Sequence, residues 1–439
     1  MSVSTDPKKI EELLTRGVEN KYPSLKFLES RLKSGKPLTL YTGYDPTAPT
    51  LHIGHGITLL KLRQFQNLGH KIIMLIGDFT GMIGDPTDKS AARTRLTRKE
   101  VLQNCKTYQK QANTILNFSG KNPAAIKYNS KWLGKMSFAD VIELSSHFTV
   151  QRMLERDMFQ KRFYGETKCE NCGWVLLPAN WEGENVNCPD GCGNNMNMQG
   201  REIREKKPIY LHEFLYPMMQ GYDSVAMDVD GEVGGNDQTF NMLVGRDLMK
   251  ELKGKEKFVL TTKLLTDSTG KKMGKSEGNM ISLADAPEDM FGKVMSWPDD
   301  VIGNAFELCT TLPMDDIASI VKADNPRDAK LRLAFEITKT FLGEKAAKEG
   351  QEHFASVIQK KGQPNEKDIP IFTLRGNNND IITVLFESKL CLSRTEARRA
   401  IAGGGVYIND ERVKSSDFWA KVKKGDVVQK GKLSFVRVG

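Results

Sequence analysis

Two short stretches of the chain carry residue types at spacings that suit phosphate chemistry. Residues 41–55 read YTGYDPTAPTLHIGH: a strand-like start, a proline-rich turn, then a helix beginning at or just after His52. His52 and His55 share one helical face. At a helix start, unpaired N–H groups and the positive end of the peptide dipole favour an anion, and two imidazoles would add donors beside it. Gly54 leaves room for a flat base against the backbone. Residues 267–279 read DSTGKKMGKSEGN, with glycines at 270, 274 and 278 among three lysines. Such a loop can close on a polyphosphate and reopen. It lacks the spacing of a Walker loop. Taken singly, the first stretch is equally two surface histidines, and the second a solvated turn.

A third cluster is Cys169-x2-Cys172-x15-Cys188-x3-Cys192, with Gly173, Gly191 and Gly193 beside the pairs. Glycine there lets the backbone turn so that four thiolates converge on a tetrahedral zinc, and four thiolates leave no open position, so such a zinc is structural. Two disulfides, free thiols or an iron–sulfur site are the alternatives. Residues 163–200 hold one lysine against five acidic residues, a net of −4, which argues against this stretch gripping an RNA backbone.

These residues must be held by something. Strand-like runs at 38–41, 71–77 and 125–128 alternate with helical patterns at 53–68, 98–118 and 138–154, predicting an α/β parallel sheet of the Rossmann type with ligands at the carboxyl ends of its strands. The expected organisation is an N-terminal helical segment (1–34), a Rossmann-type domain (35–297) with a cysteine-rich insertion (163–205), a helical domain (298–361), a linker (362–380) rich in Pro, Asn and Gly, and a small α+β unit (381–439). In the last unit, Ser393 and Glu396 form an expected capping box that presents Arg394, Arg398 and Arg399 on a short helix.

The chain has 439 residues, 64 basic against 55 acidic, and a formal charge of +9. Residues 377–439 carry 12 basic and 7 acidic side chains, so +5 of that charge lies near the C-terminus and points to a polyanionic partner. No apolar run approaches the ~18 residues of a membrane helix. The first 17 residues, MSVSTDPKKIEELLTRG, do not read as a secretory signal, so the cytoplasm is the expected location.

The pair HIGH (52–55) and KMGKS (272–276), about 220 residues apart on an α/β pattern, resembles the two signatures of class I aminoacyl-tRNA synthetases. YTGYDPTAP from Tyr41, GDFTGMIGDP from Gly77, YPMMQGYD from Tyr216 and GGNDQ from Gly234 narrow the resemblance to the tyrosyl-tRNA synthetases, with the four-cysteine insertion as a departure from their commonest pattern. The resemblance implies in-line attack of an amino-acid carboxylate on the α-phosphate of ATP, then transfer to tRNA(Tyr), by a homodimer. It assigns Thr47, His52, His55, Lys272 and Lys275 to catalysis, and Thr42, Asp45, Gly54, Gly235, Asp237, Met273 and Ser276 to ATP, with Mg2+ accompanying the nucleotide. Tyr41 and Asp223 would meet the tyrosine hydroxyl, Asp85, Tyr216 and Gln220 the ammonium, and Gln238 the carboxylate side. The helical domain would bind the anticodon. The C-terminal unit resembles the RNA-binding domain shared with ribosomal small-subunit protein four. Tryptophan specificity on the related fold, or an RNA-binding factor without the chemistry, are the competing readings.

Overall fold

In the computed structural model the described residues are 3–85, 96–164, 167–168, 175–176, 185–187, 195–197, 208–270, 272–273, 280–322, 325–359, 369–373, 379–391, 393–431 and 434–439. Two compact units divide at Gly350 and Gln351.

The first unit is built on a six-stranded sheet. Its strands are β1 (Val18–Tyr22), β2 (Thr39–Tyr44), β3 (Lys71–Ile76), β4 (Ala125–Tyr128), β5 (Gly231–Gly235) and β6 (Phe258–Thr262), in the spatial order β1-β6-β5-β2-β3-β4. Every neighbouring pair is parallel except β1 with β6. The near-continuous apolar runs of β3 (KIIMLI) and β6 (FVLTT) fit strands buried on both faces. Chain direction across the sheet reverses between β2 and β5, and that switch point opens a crevice at the strands' carboxyl ends.

The N-terminal segment departs from the helical expectation. Helices α1 (Pro7–Thr15) and α2 (Leu25–Lys33) are present, but β1 lies between them and closes the sheet edge antiparallel to β6. Gly17, at φ 62°, ends the helical path in a conformation that costs glycine little. Only Val18 of β1 is buried, so too little apolar alternation marks this strand in the sequence.

Two expected long helices are broken. The 98–118 pattern becomes Arg98–Asn104 and Tyr108–Ala112 around a 3₁₀ turn at Cys105–Thr107. Gln111 there accepts from Leu51 N at 2.7 Å and so braces the loop before the His52 helix. The 138–154 pattern becomes Phe138–Ser146 and Val150–Leu154, the second started by Thr149, whose Oγ1 accepts from Arg152 N at 3.1 Å.

The helical stretch after Pro298 includes Met314–Val321 and Pro326–Leu342 and packs within the first unit. A Cβ placed on Gly56 would lie 2.5 Å from the Phe341 ring, and Arg16 donates to the carbonyls of Glu307, Thr310 and Leu312. In the 163–205 insertion the described residues form two antiparallel pairs, Thr167–Lys168 with Val175–Leu176 and Asn185–Asn187 with Asn195–Asn197. Cys169, Cys172, Cys188 and Cys192 lie outside the described residues.

Among the described residues the second unit includes a five-stranded sheet and the short helices Ile381–Glu387 and Arg394–Ala402, over a core that includes Ile382, Leu385, Ile401 and Val428. Ser393 Oγ accepts from Glu396 N at 3.1 Å, as expected of a cap, while the Glu396 carboxylate pairs with Lys430 at 2.5 Å. Arg394, Arg398 and Arg399 are exposed on that helix.

Candidate active site

A cavity of about 400 Å³ fills the crevice at the switch point. Helix α3 (Ile53–Asn67) opens on it, with His52 as the residue before its first turn. The His52 and His55 rings stack at 3.7 Å and 18°, and His52 N donates to His55 Nδ1 at 3.3 Å. That bond makes Nδ1 of a neutral His55 an acceptor and leaves its proton on Nε2, where it can donate to a ligand. A Cβ on Gly54 would lie 3.0 Å from the His52 ring, so glycine at 54 keeps this ring pair in place. One expectation is narrowed: Ile53 N donates to Ile281 O at 2.9 Å, so not every N–H at this helix start is left for phosphate.

At the strand ends, Lys272 Nζ lies 2.7 Å from Asp237 Oδ2, with both side chains partly exposed. Asp237 follows the carboxyl end of β5, where Gly235 also lines the cavity. Met273 N donates to Leu265 O at 2.7 Å, tying the start of the lysine loop to the wall. Thr47 lines the same end. Thr42 lines the cavity too, but its hydroxyl donates to Val233 O at 2.7 Å inside the sheet. Lys275 and Ser276 lie outside the described residues.

The other end is buried. Tyr41, on β2, is fully buried, with its hydroxyl 2.9 Å from Ser224 Oγ. Helix α4 (Leu211–Met227) brings Tyr216, Gln220 and Asp223 to the cavity from one face, as the i, i+4, i+7 spacing requires. Asp223 accepts from Trp132 Nε1 at 2.7 Å and from Asn129 Nδ2 at 3.3 Å. Burial pushes its carboxyl well above the ordinary carboxylate range, and these two donors pull the other way. Burial, with the charges of Glu232 and Asp223, likewise holds Tyr41 protonated, and burial together with Asp45 and Asp85 does the same for Tyr216. Tyr41 and Tyr216 therefore enter the site as donors.

Between the two ends run paired carboxylates. Asp45 accepts from Tyr216 Oη at 2.8 Å and from Thr80 Oγ1 at 2.7 Å. Asp85 accepts from Arg156 at 2.7 Å and from Gln238 Nε2 at 2.7 Å. Gln238, assigned by resemblance to a carboxylate side, here serves Asp85. Gln220 donates to Glu232 at 3.3 Å and accepts from Asn241 at 2.8 Å.

All sixteen of the expected catalytic, ATP and tyrosine residues that are described therefore line one cavity. Sequence reasoning passed over Asn129, Trp132, Arg156, Ser224, Glu232 and Lys257, which hold those side chains. A signal existed for two of them. Glu232 and Lys257 are charges within or next to otherwise apolar central strands, where an unpaired charge is prohibitively costly.

The fold and cavity define a class. Residues 33–171 and 194–359 match the family model described as tRNA synthetases class I (W and Y), and the chain belongs to that family. Within it the relatives are tyrosine–tRNA ligases: that of Moorella thermoacetica is 39% identical over 435 residues, covering 97% of this chain and 94% of the relative. The one from Haemophilus influenzae is 41% identical over 439 residues, with 99% and 98% covered. Residues 362–438 match the tyrosine–tRNA ligase SYY-like C-terminal domain. Among solved structures, a truncated mitochondrial tyrosyl-tRNA synthetase of Aspergillus nidulans shares the fold at a TM-score of 0.60 and 20% identity, over 80% of this chain and 94% of that one. A tyrosyl-tRNA synthetase of Archaeoglobus fulgidus, solved with L-tyrosine, does so at 0.56, over 78% and 99%. The first family match is interrupted across 172–193, the stretch that holds Cys172, Cys188 and Cys192.

Proposed function

We propose that the chain is a tyrosine–tRNA ligase, which activates L-tyrosine with ATP to tyrosyl-adenylate and pyrophosphate and then transfers tyrosine to the 3′-terminal adenosine of tRNA(Tyr). One observation carries this: a single cavity has histidines, a lysine and a helix start at one end, and a buried tyrosine and aspartate at the other. A substrate with ATP-like and phenolic ends fits that polarity.

In adenylation the tyrosine carboxylate oxygen bonds to the α-phosphorus while the bond to the pyrophosphate oxygen breaks, and charge leaves on pyrophosphate. No covalent enzyme intermediate is needed, so the protein acts by positioning and charge stabilisation. Thr47, His52 and His55 serve the nucleotide at the α3 start. Thr42, Asp45, Gly54 and Met273 complete that wall, and Asp237 and Gly235 hold the ribose. Lys272, released from Asp237, moves with Lys275 and Ser276 onto the departing phosphates. Magnesium bound to ATP would add charge neutralisation there. Tyr41 and Asp223 read the substrate hydroxyl, Asp85, Tyr216 and Gln220 hold the ammonium, and Gln238 serves the carboxylate side.

The finer parts of this reading are a homodimer in the cytoplasm, with Arg394, Arg398 and Arg399 on tRNA, and a structural zinc on the four cysteines. Exposed apolar side chains at Phe138, Ile142, Val150 and Leu211 support a partner copy. For zinc, the donor set fits and each cysteine pair falls in the chain between two paired strands. Metal analysis should find one zinc per chain, lost in C169S/C172S.

ATP–pyrophosphate exchange with tyrosine, tryptophan and phenylalanine tests the function. Exchange driven by tyrosine is expected. Exchange driven by tryptophan would overturn the specificity, which Tyr41 and Asp223 favour for a hydroxyl, and exchange with none of the three would overturn the enzyme reading.

A further inference from the structure

Behind the buried end of the cavity sits a lysine that the reaction as described does not use. Lys257, just before β6, has no solvent exposure. Its ammonium bonds to the Glu232 carboxylate on the neighbouring β5 and lies 2.9 Å from Ser224 Oγ. Ser224 in turn meets the Tyr41 hydroxyl at 2.9 Å, and the Lys257 ammonium also lies 5.8 Å from the Tyr41 ring. A buried ammonium this deep is costly, and a carboxylate partner alone does not explain why it reaches a serine beneath the specificity tyrosine.

The donor inventory gives the order of this chain. An ammonium only donates, so it occupies a lone pair of Ser224 Oγ. Ser224 then has its own proton to give, and Tyr41 Oη is the acceptor beside it. With its oxygen so engaged, the Tyr41 proton has two takers: Glu232, whose charge and hydrogen bond already act on this phenol, and a substrate in the cavity. Glu232 also lines the cavity, only 2% exposed, and is a rival acceptor for a phenolic proton. Lys257 takes a lone pair on one of its oxygens and Gln220 one on the other, which weakens its pull on that proton. We propose that Lys257 is a positioning residue for hydroxyl recognition: it sets the relay Lys257 to Ser224 to Tyr41 to substrate phenol to Asp223, and it weakens the competing pull of Glu232 on the Tyr41 proton.

This rests on the tyrosine–tRNA ligase reading, and the full-length enzyme tests it by ATP–pyrophosphate exchange with tyrosine and phenylalanine in K257M/E232Q and S224A. The double variant removes both charges, so no orphaned ion is buried. Loss of one oriented hydrogen bond should lower kcat/KM for tyrosine about tenfold through KM for tyrosine, with KM for ATP and the phenylalanine rate unchanged. If S224A keeps the tyrosine/phenylalanine ratio within about twofold of wild type, the proposal is overturned, and so it is by equal losses with both amino acids, the mark of a merely structural role. S224A decides alone if the double variant does not fold, since it leaves the ion pair intact. Absence of tyrosine-driven exchange in the wild-type enzyme would instead defeat the functional reading beneath it.

Discussion

The two ends of the cavity are built on opposite principles. At the nucleotide end, the charged side chains are partly exposed and hang from turns and a helix start: Lys272 and Asp237 are 45% and 30% exposed and hold each other. At the tyrosine end, Tyr41, Asp223, Glu232 and Lys257 are each no more than 2% exposed, and each is bonded to another protein group. The difference follows from what each end must do. On the proposed reading pyrophosphate has to be released, so Lys272, which would hold it, is solvated and exchanges partners at little cost. A hydroxyl has to be told from a hydrogen atom, which requires polar groups dry enough that leaving one unpaired costs about 1–3 kcal/mol or more.

The largest expected effect falls on the solvated end. Lys272→Ala should lower kcat for adenylation by about 10²–10³-fold, with KM for tyrosine little changed, because charge on pyrophosphate develops only as the bond breaks. Single-turnover formation of tyrosyl-adenylate measures it. A rise in KM for tyrosine of similar size would show that the two ends are not separable. Next comes the dry end. Asp223→Asn keeps the shape but sets an amide against the Trp132 and Asn129 N–H groups, and kcat/KM for tyrosine should fall by about 10²-fold while phenylalanine is nearly unaffected. Exchange kinetics with both amino acids check it.

The same contrast separates what could be read from the residues alone. The solvated end was legible, because a histidine pair at a helix start and a glycine-lysine loop are local in sequence. The cavity-lining residues of the dry end were named only through resemblance, since Tyr41 and Asp223 are 182 positions apart and come together only because β5, which follows α4, lies beside β2. The groups behind them were not seen. Arg156 reaches Asp85 from the bend between the helices Val150–Leu154 and Asp157–Tyr164, and the Lys257–Glu232 pair exists only because β6 lies beside β5. The alternation of strands and helices from residue 38 onward gave the parallel sheet. Strand β1 escaped, because an edge strand with one buried residue has no period to read.

A third, smaller effect tests the seam between the ends. Gly77 directly follows β3, and a Cβ there would lie 1.9 Å from Asp45 Oδ1 and 2.5 Å from Thr80 Oγ1. Gly77→Ala must displace the carboxylate that both Thr80 and Tyr216 hold, at about 1–3 kcal/mol of folding stability by chemical denaturation. If the seam couples the ends, KM for tyrosine and for ATP should rise together in this variant, unlike in the two before it.

The smallest effect is a shift along the pH axis, and it belongs to the dry end alone. If Asp223 accepts the substrate proton as a carboxylate, as proposed, lowering the pH protonates it and weakens selection of tyrosine. Burial raises its pKa, while the N–H of Trp132 stabilises the charged form and lowers it. Removing that donor in Trp132→Phe therefore raises the pKa, and the acid limb of kcat/KM for tyrosine should move to higher pH. Phenylalanine makes no use of the carboxylate, and its profile should stay where it is in wild type. An acid limb that moves equally for both amino acids would place the titrating group at the nucleotide end, and the division between a solvated and a dry half of the cavity would then fail at the residue on which it most depends.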